Sequence, residues 1–183
     1  NFKRIPTETI AKKLAEIAQA ENLKPDSTAL YRIAKVSDGS LRDAETLLDQ
    51  LGALAKGEIK EEDVLFALGL AGDEVYLELL AALEKKEVEK VLKITNELYH
   101  SGKDLVHFGR GLYELFRNLL LLQIGQGAEA FVEMGEEPKK SFARFKDTFS
   151  REELLLILSL FQNLQGDLRR ALAPPKLLIE TAL

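Results

Sequence analysis

Apolar side chains recur at three- and four-residue spacing through nearly every segment of this chain, and no stretch alternates strictly enough to be a strand. Such a pattern collects its apolar residues on one stripe only when the backbone is helical, so the spacing predicts an all-α protein. Abundant Glu, Lys and Leu, with aromatics at 7%, agree with that reading.

The breaks in the pattern set the organisation. Pro6 and Thr7 open a first helix whose inward face is Ile10, Leu14, Ile17 and Ala18. Pro25 and Asp26 open a second, with Leu30, Ile33 and Ala34 inward; it stops at Ser37-Asp38-Gly39, where glycine supplies the left-handed turn of a helix end. A third runs from Ser40 through Ala44, Leu47, Leu48 and Leu51, with Gly57 in the turn beyond it, and a short fourth covers 61–68 before Gly69. These make one compact bundle over residues 1–70. The glycine pair at 69 and 72 marks a boundary, and a larger helical domain is predicted over 73–183. Its helices are expected at about 73–84, 86–101, 104–124, 139–149, 150–165 and 175–183. Leu105, Phe108, Leu112, Leu115, Phe116 and Leu119 form a broad apolar stripe suited to a bundle core. Ser150-Arg151-Glu152-Glu153 reads as a capping box. The helix after it is apolar almost all round over 154–164, which fits the centre of its own bundle or a face shared with another subunit.

Several function classes are excluded by composition. The chain carries 25 basic and 30 acidic residues, a net charge of −5, which argues against a broadly basic nucleic-acid binder. No cysteine is present, so disulfides and thiolate metal sites are ruled out. The longest apolar stretches, 118–124 and 154–161, fall short of the roughly 20 residues that cross a bilayer, and no basic-then-apolar leader opens the chain. A soluble, cytoplasmic protein with no membrane partner is expected. The chain starts at Asn1 rather than Met, as a processed chain or a piece of a longer one would.

Catalytic constellations are equally scarce. His100 and His107 sit in no H-E-x-x-H spacing, no G-x-x-x-x-G-K-[ST] loop occurs, and no reacting group has a partner, so this stretch is not expected to be an enzyme alone. The acidic groups Glu61-Glu62-Asp63, Glu136-Glu137 and Glu152-Glu153 open predicted helices, where the macrodipole favours them. Gly109-Arg110-Gly111 lies inside a helical pattern and fits close helix packing or, alternatively, a phosphate contact. Asp38-Gly39-Ser40-Leu41-Arg42-Asp43-Ala44 is different. Ser40 and Asp43 can cap a helix that follows Gly39, which puts Arg42 in its first turn. A cation there is mildly unfavourable unless something anionic is near. Free helix-end amides and an arginine fork are what a phosphate site needs; the alternative is a solvated Arg42, or one paired with Asp43 or Asp38.

That stretch, with Leu47-Leu48-Asp49-Gln50 after it, resembles the sensor-2 region of the bacterial DNA polymerase III gamma/tau subunits, the AAA+ motors of the replication clamp loader. Phe2-Lys3-Arg4-Ile5 resembles that family's junction into its lid, and Ala67-Leu68-Gly69-Leu70 the lid's end. Asp167-Leu168-Arg169-Arg170 through Pro174-Pro175 to Leu177-Leu178-Ile179-Glu180 resembles the last helices of its collar. Ser-Leu-Arg-Asp-Ala is the bacterial motor-subunit form, and Arg42 sets the chain apart from the delta-prime type. The resemblance implies a lid over 1–70 and a collar over 73–183, with the phosphate loop, zinc module, magnesium-binding motif and arginine finger lying before residue 1. It further implies that Arg42 meets the phosphates of magnesium-bound ATP held by that missing domain, with Leu41 near the nucleoside and Gly39, Ser40 and Asp43 shaping the helix end. The triphosphate would draw the lid inward, and hydrolysis would release it. ATP is not expected to bind this fragment stably by itself. Implied partners are delta, delta-prime and further gamma/tau copies in a pentamer, joined through 73–183, and through them the sliding clamp and primed DNA. A helical adaptor with no nucleotide link is the alternative.

Overall fold

A computed structural model describes residues 4–55, 58–125, 127–132, 134, 136–170 and 173–183, without the side chains at 136, 137 and 169. Gly57, Phe2 and Lys3 of the opening motif, and the side chains of Glu136, Glu137 and Arg169 therefore lie outside the described residues. Packing divides the chain into two compact units, Asn1–Leu70 and Ala71–Leu183.

The first unit holds α1 (Thr7–Ala20), α2 (Ser27–Val36), α3 (Leu41–Leu54) and α4 (Glu61–Ala67). Ile10, Leu14, Ile33, Leu48, Ile59 and Val64 are fully buried at its centre, while Ile17 and Leu47 are half-buried at the margin. Asp26 explains much of the geometry. One carboxylate oxygen caps α2 by accepting from the Ala29 N–H at 2.6 Å and the Thr28 hydroxyl at 2.7 Å. The other accepts from the Glu61 N–H at 3.4 Å, at the start of α4. Partial burial works against its ionisation, but the donations from Ala29, Thr28 and Glu61 outweigh it and hold this carboxyl below its ordinary value. Arg32 adds a second tie between the same helices: its Nε and Nη2 both reach Glu61 Oε1, at 2.8 and 2.7 Å.

The sequence pattern has no strand, yet a minimal one forms. Lys24–Pro25 (β1) pairs in parallel with Glu58–Ile59 (β2), Lys24 opposite Glu58 and Pro25 opposite Ile59. Two residues are too few to show alternation, so periodicity could not reveal them.

The second unit holds α5 (Asp73–Glu84), α6 (Val88–His100), α7 (Leu105–Ile124), α8 (Glu136–Ala143), α9 (Arg151–Arg170) and α10 (Pro175–Ala182). Helices α7 and α9 form its spine. The Phe116 and Phe161 rings stack at 5.7 Å, and Phe149 meets Phe116 edge-on at 5.8 Å. Gly109 lets α9 and α10 approach: a Cβ there would stand 3.3 Å from Leu168 Cδ1 and 3.7 Å from Ile179 Cδ1. At Gly111 the Tyr76 ring occupies the space a side chain would need. Both glycines therefore serve packing. The Ser150 box forms as a reciprocal pair, with Ser150 N–H donating to Glu153 at 2.7 Å and Glu153 N–H to Ser150 Oγ at 3.2 Å.

Three expectations need correction. The helix placed at 139–149 is α8, which ends at Ala143; 144–148 are turns, and the spacing of Phe142, Phe145 and Phe149 imitated a helix there. Helix α9 runs on past 165 through Gly166 to Arg170, burying Leu168 one turn beyond Leu164 in the core. A 3-10 turn, Ala128–Phe131, lies where no element was expected. Helix α9 is also not wrapped on all sides within its unit. Leu154, Phe161, Leu164 and Leu168 face the core, whereas Leu155, Leu156 and Leu160 are 54%, 62% and 46% exposed.

Candidate functional site

The N-terminus of α3 is where the sequence reading concentrated. The turn into it needs two consecutive left-handed residues, Asp38 (φ 46°) and Gly39 (φ 86°). Glycine is required at the second for another reason as well: a Cβ on Gly39 would come within 2.8 Å of Arg4 Cβ. The chain before α1 is thus laid against this turn, and Ile5 N–H donates to the Gly39 carbonyl at 3.3 Å.

Ser40 is the N-cap. Its hydroxyl accepts from Asp43 N–H at 3.3 Å, and its own N–H goes to the Ser37 carbonyl at 2.9 Å. The Asp43 carboxylate does not return the bond, so the box is half-made. Among the described residues the amides of Leu41 and Arg42 have no acceptor. Leu41 is half-buried against the apolar core of its unit, and Arg42 and Asp43 are exposed.

The question left by the sequence was whether Asp38 or Asp43 occupies Arg42. Neither does: among the described residues no ion pair involves Arg42, and Asp38 Oδ1 is bound by Arg4 Nη1 at 2.9 Å. Sequence reasoning missed Arg4 in this role, since no local pattern reports a pairing across that separation. The site therefore offers two free amides, a helix dipole and an unengaged guanidinium to anionic oxygen.

The histidines lie in the second unit. His100 packs edge-on to Tyr99 at 5.4 Å, and His107 borders a shallow cleft with Asp104, Arg110 and Gln165. No cluster of metal-ligating side chains occurs among the described residues, and none of their helices is long and apolar enough to cross a membrane.

Comparison with known proteins places this architecture. Residues 9–58 match the family described as DNA polymerase III clamp loader subunit, ATPase lid domain, and residues 59–182 match DNA polymerase III subunits gamma and tau domain III. The structure resembles the Bacillus subtilis DNA clamp loader delta protein, with a TM-score of 0.55 at 17% identity, over 99% of this chain and 56% of that one. The fold is thus that of a clamp-loader subunit, a small helical lid followed by a larger helical domain. The chain belongs to the DNA polymerase III gamma and tau subunits, of which it holds the ATPase lid and domain III. It is 35% identical to the Bacillus subtilis DNA polymerase III subunit tau over 134 residues, 73% of this chain and 24% of that protein. It is also 36% identical over 119 residues to the Arabidopsis thaliana protein STICHEL, 65% of this chain and 10% of that one. The chain spans less than a quarter of the length of these relatives. The family boundary at residue 59 differs from the packing boundary at 70/71: Ile59 and Val64 are buried in the first unit's core, so α4 packs as part of that unit.

Proposed function

We propose that this chain is the ATP-sensing lid and assembly collar of a clamp-loader motor subunit that works in the cytoplasm. The observation that carries the sensing role is Arg42, exposed in the first turn of α3 beside two acceptor-free amides, with Asp38 held by Arg4 and no ion pair between Arg42 and Asp43 among the described residues. Those groups fit one anionic end of a bound nucleotide, and Leu41 would lie beside its nucleoside. They do not fit a whole one, so magnesium-bound ATP would be held mainly by a preceding domain and supply a triphosphate for Arg42 to read. An arginine that binds phosphate oxygens gains charge-assisted hydrogen bonds that are lost when the terminal phosphate leaves. The lid would thereby take different positions before and after hydrolysis.

Residues 73–183 would join delta, delta-prime and further gamma/tau copies in a pentamer, which in turn engages the sliding clamp and primed DNA. The exposed Leu155, Leu156 and Leu160 support this, since contiguous apolar side chains facing solvent from one helix mark an association surface. The decisive experiment uses the full-length subunit in the reconstituted assembly. Arg42→Ala should weaken ATP binding and abolish clamp loading while leaving the assembly's mass unchanged in light scattering; unaltered ATP binding would sink the sensing role.

A further inference from the structure

Arg4 and Asp38 form an ion pair of 2.9 Å across 34 residues of sequence. Its location is more informative than its strength. The two side chains are 79% and 48% exposed, and pairs that open to solvent stabilise a fold little. Nor is the pair needed to hold the chain in place. The Ile5 N–H to Gly39 carbonyl bond and the contact of Arg4 Cβ with Gly39 fix the backbone of residues 4–5 on the turn, whatever the charge on the arginine head. What the guanidinium adds is a positive charge on one particular carboxylate.

That carboxylate stands two residues before the N-cap of α3, on the same turn that presents the free amides and Arg42. Without a partner it would act against this helix end in two ways. It would offer Arg42 an intrachain acceptor, and it would repel an anion approaching the amides. We propose that Arg4 is a positioning residue for the phosphate site: by occupying Asp38, it keeps Arg42 unengaged and removes a like charge from the anion's approach. This rests on the reading of Arg42 as the phosphate-binding arginine. The arrangement also gives Gly39 a functional reason beyond its backbone angle, because any side chain there would lift Arg4 away from the turn and from Asp38.

The test is a rescue experiment in the full-length subunit within the assembled complex. Arg4→Met should raise the ATP dissociation constant about 2- to 5-fold, the range expected of one uncompensated exposed charge. The KM for ATP should rise in step, and kcat should hold. Asp38→Asn alone should stay close to the parent, and the double variant Arg4→Met/Asp38→Asn should return to it. Arg4→Lys should keep most of the affinity. An Arg4→Met protein that binds ATP normally would overturn the proposal, as would a double variant that stays as weak as the single one. A fall in melting temperature shared equally by Arg4→Met and Asp38→Asn would also overturn it, since that is the behaviour of a structural staple. Arg42→Ala run alongside separates the two claims. If it too binds ATP normally, the phosphate reading fails and this one with it; if it loses affinity while Arg4→Met does not, only the role of Arg4 fails.

Discussion

Helices α3 and α9 open with the same device and leave different things unfinished. Each begins with a serine cap three residues before an acid, Ser40 and Asp43 in one, Ser150 and Glu153 in the other. At α9 the box closes: Glu153 accepts from both the N–H and the hydroxyl of Ser150, and the first turn carries two acids, Glu152 and Glu153, beside Arg151. At α3 the box is half-made, Ser40 turns its N–H to Ser37, and the first turn carries Arg42. Both starts leave their first two amides without an acceptor among the described residues, Leu41 and Arg42 in one, Arg151 and Glu152 in the other, but at α9 two acids already place negative charge beside them. At α3 the first turn holds a single acid and the exposed Arg42, so an external anion gains more there. Helix α9 is open instead along its side, through Leu155, Leu156 and Leu160. On the proposed function, the placement of unsatisfied groups would separate a ligand-reading helix from an assembly-building one.

The comparison can be broken most forcefully at α9. Phe161→Ala removes a fully buried ring stacked on Phe116 and should cost about 3–5 kcal/mol in denaturant unfolding of the second unit. Leu156→Ala, on the outward face, should change stability by less than about 0.5 kcal/mol. Equal costs would mean that the outward face is already covered in solution. Next in size, Arg42→Ala should weaken ATP binding by the full-length subunit about 10- to 100-fold, the loss expected for charge-assisted hydrogen bonds. Arg151→Ala, in the first turn of α9, should leave it unchanged in the same titration. If both behave alike, the two helix starts are not different in kind.

Cap deletions come third. Ser150→Ala should cost about 1 kcal/mol of stability, and Ser40→Ala less, because its hydroxyl makes a single longer bond; thermal melts of the two variants give the comparison directly. The smallest effect is a pH dependence. The Ser150 N–H, then the Ser150 hydroxyl, then the Lys86 charge hold the Glu153 carboxyl below its ordinary value of 4.5. A carboxyl with a lowered folded-state value contributes its stability above the unfolded value and loses it as pH falls through the folded one. Glu153 should therefore titrate below an ordinary glutamate by carbon-detected NMR, and Ser150→Ala should move it back up.

Much of this was legible in the sequence, and the exceptions have physical reasons. Asp26, Ser40, Asp104 and Ser150 announce helix starts because capping is a local chemistry written in adjacent residues. The left-handed turn at Gly39 was legible for the same reason. What escaped involves residues far apart or a choice between faces. The Arg4–Asp38 pair and the β1–β2 pairing each link positions separated by 34 residues, which no spacing rule reports. Helix α9 is apolar on too many sides for its sequence to say which would be left uncovered; only its packing on α7 decides that Phe161 goes in and Leu156 stays out. The Phe142, Phe145 and Phe149 spacing misled because a chain of turns can bury aromatics at intervals that a helix would also use.

The ladder between Lys24–Pro25 and Glu58–Ile59 has a kinetic consequence out of proportion to its size. In a lid whose remaining contacts are mostly between sequence-adjacent helices, it closes a long loop, and loop closure delays the contacts that depend on it. Helices α1 to α3 can collapse on one another first, and α4 then docks as Ile59 and Val64 enter the core. The Asp26 N–H, bonded to the Ile59 carbonyl at 2.9 Å, is the natural reporter of that last step. Its amide should exchange with deuterium ahead of those in the middle of α2, which would make the ladder the seam along which the lid first opens.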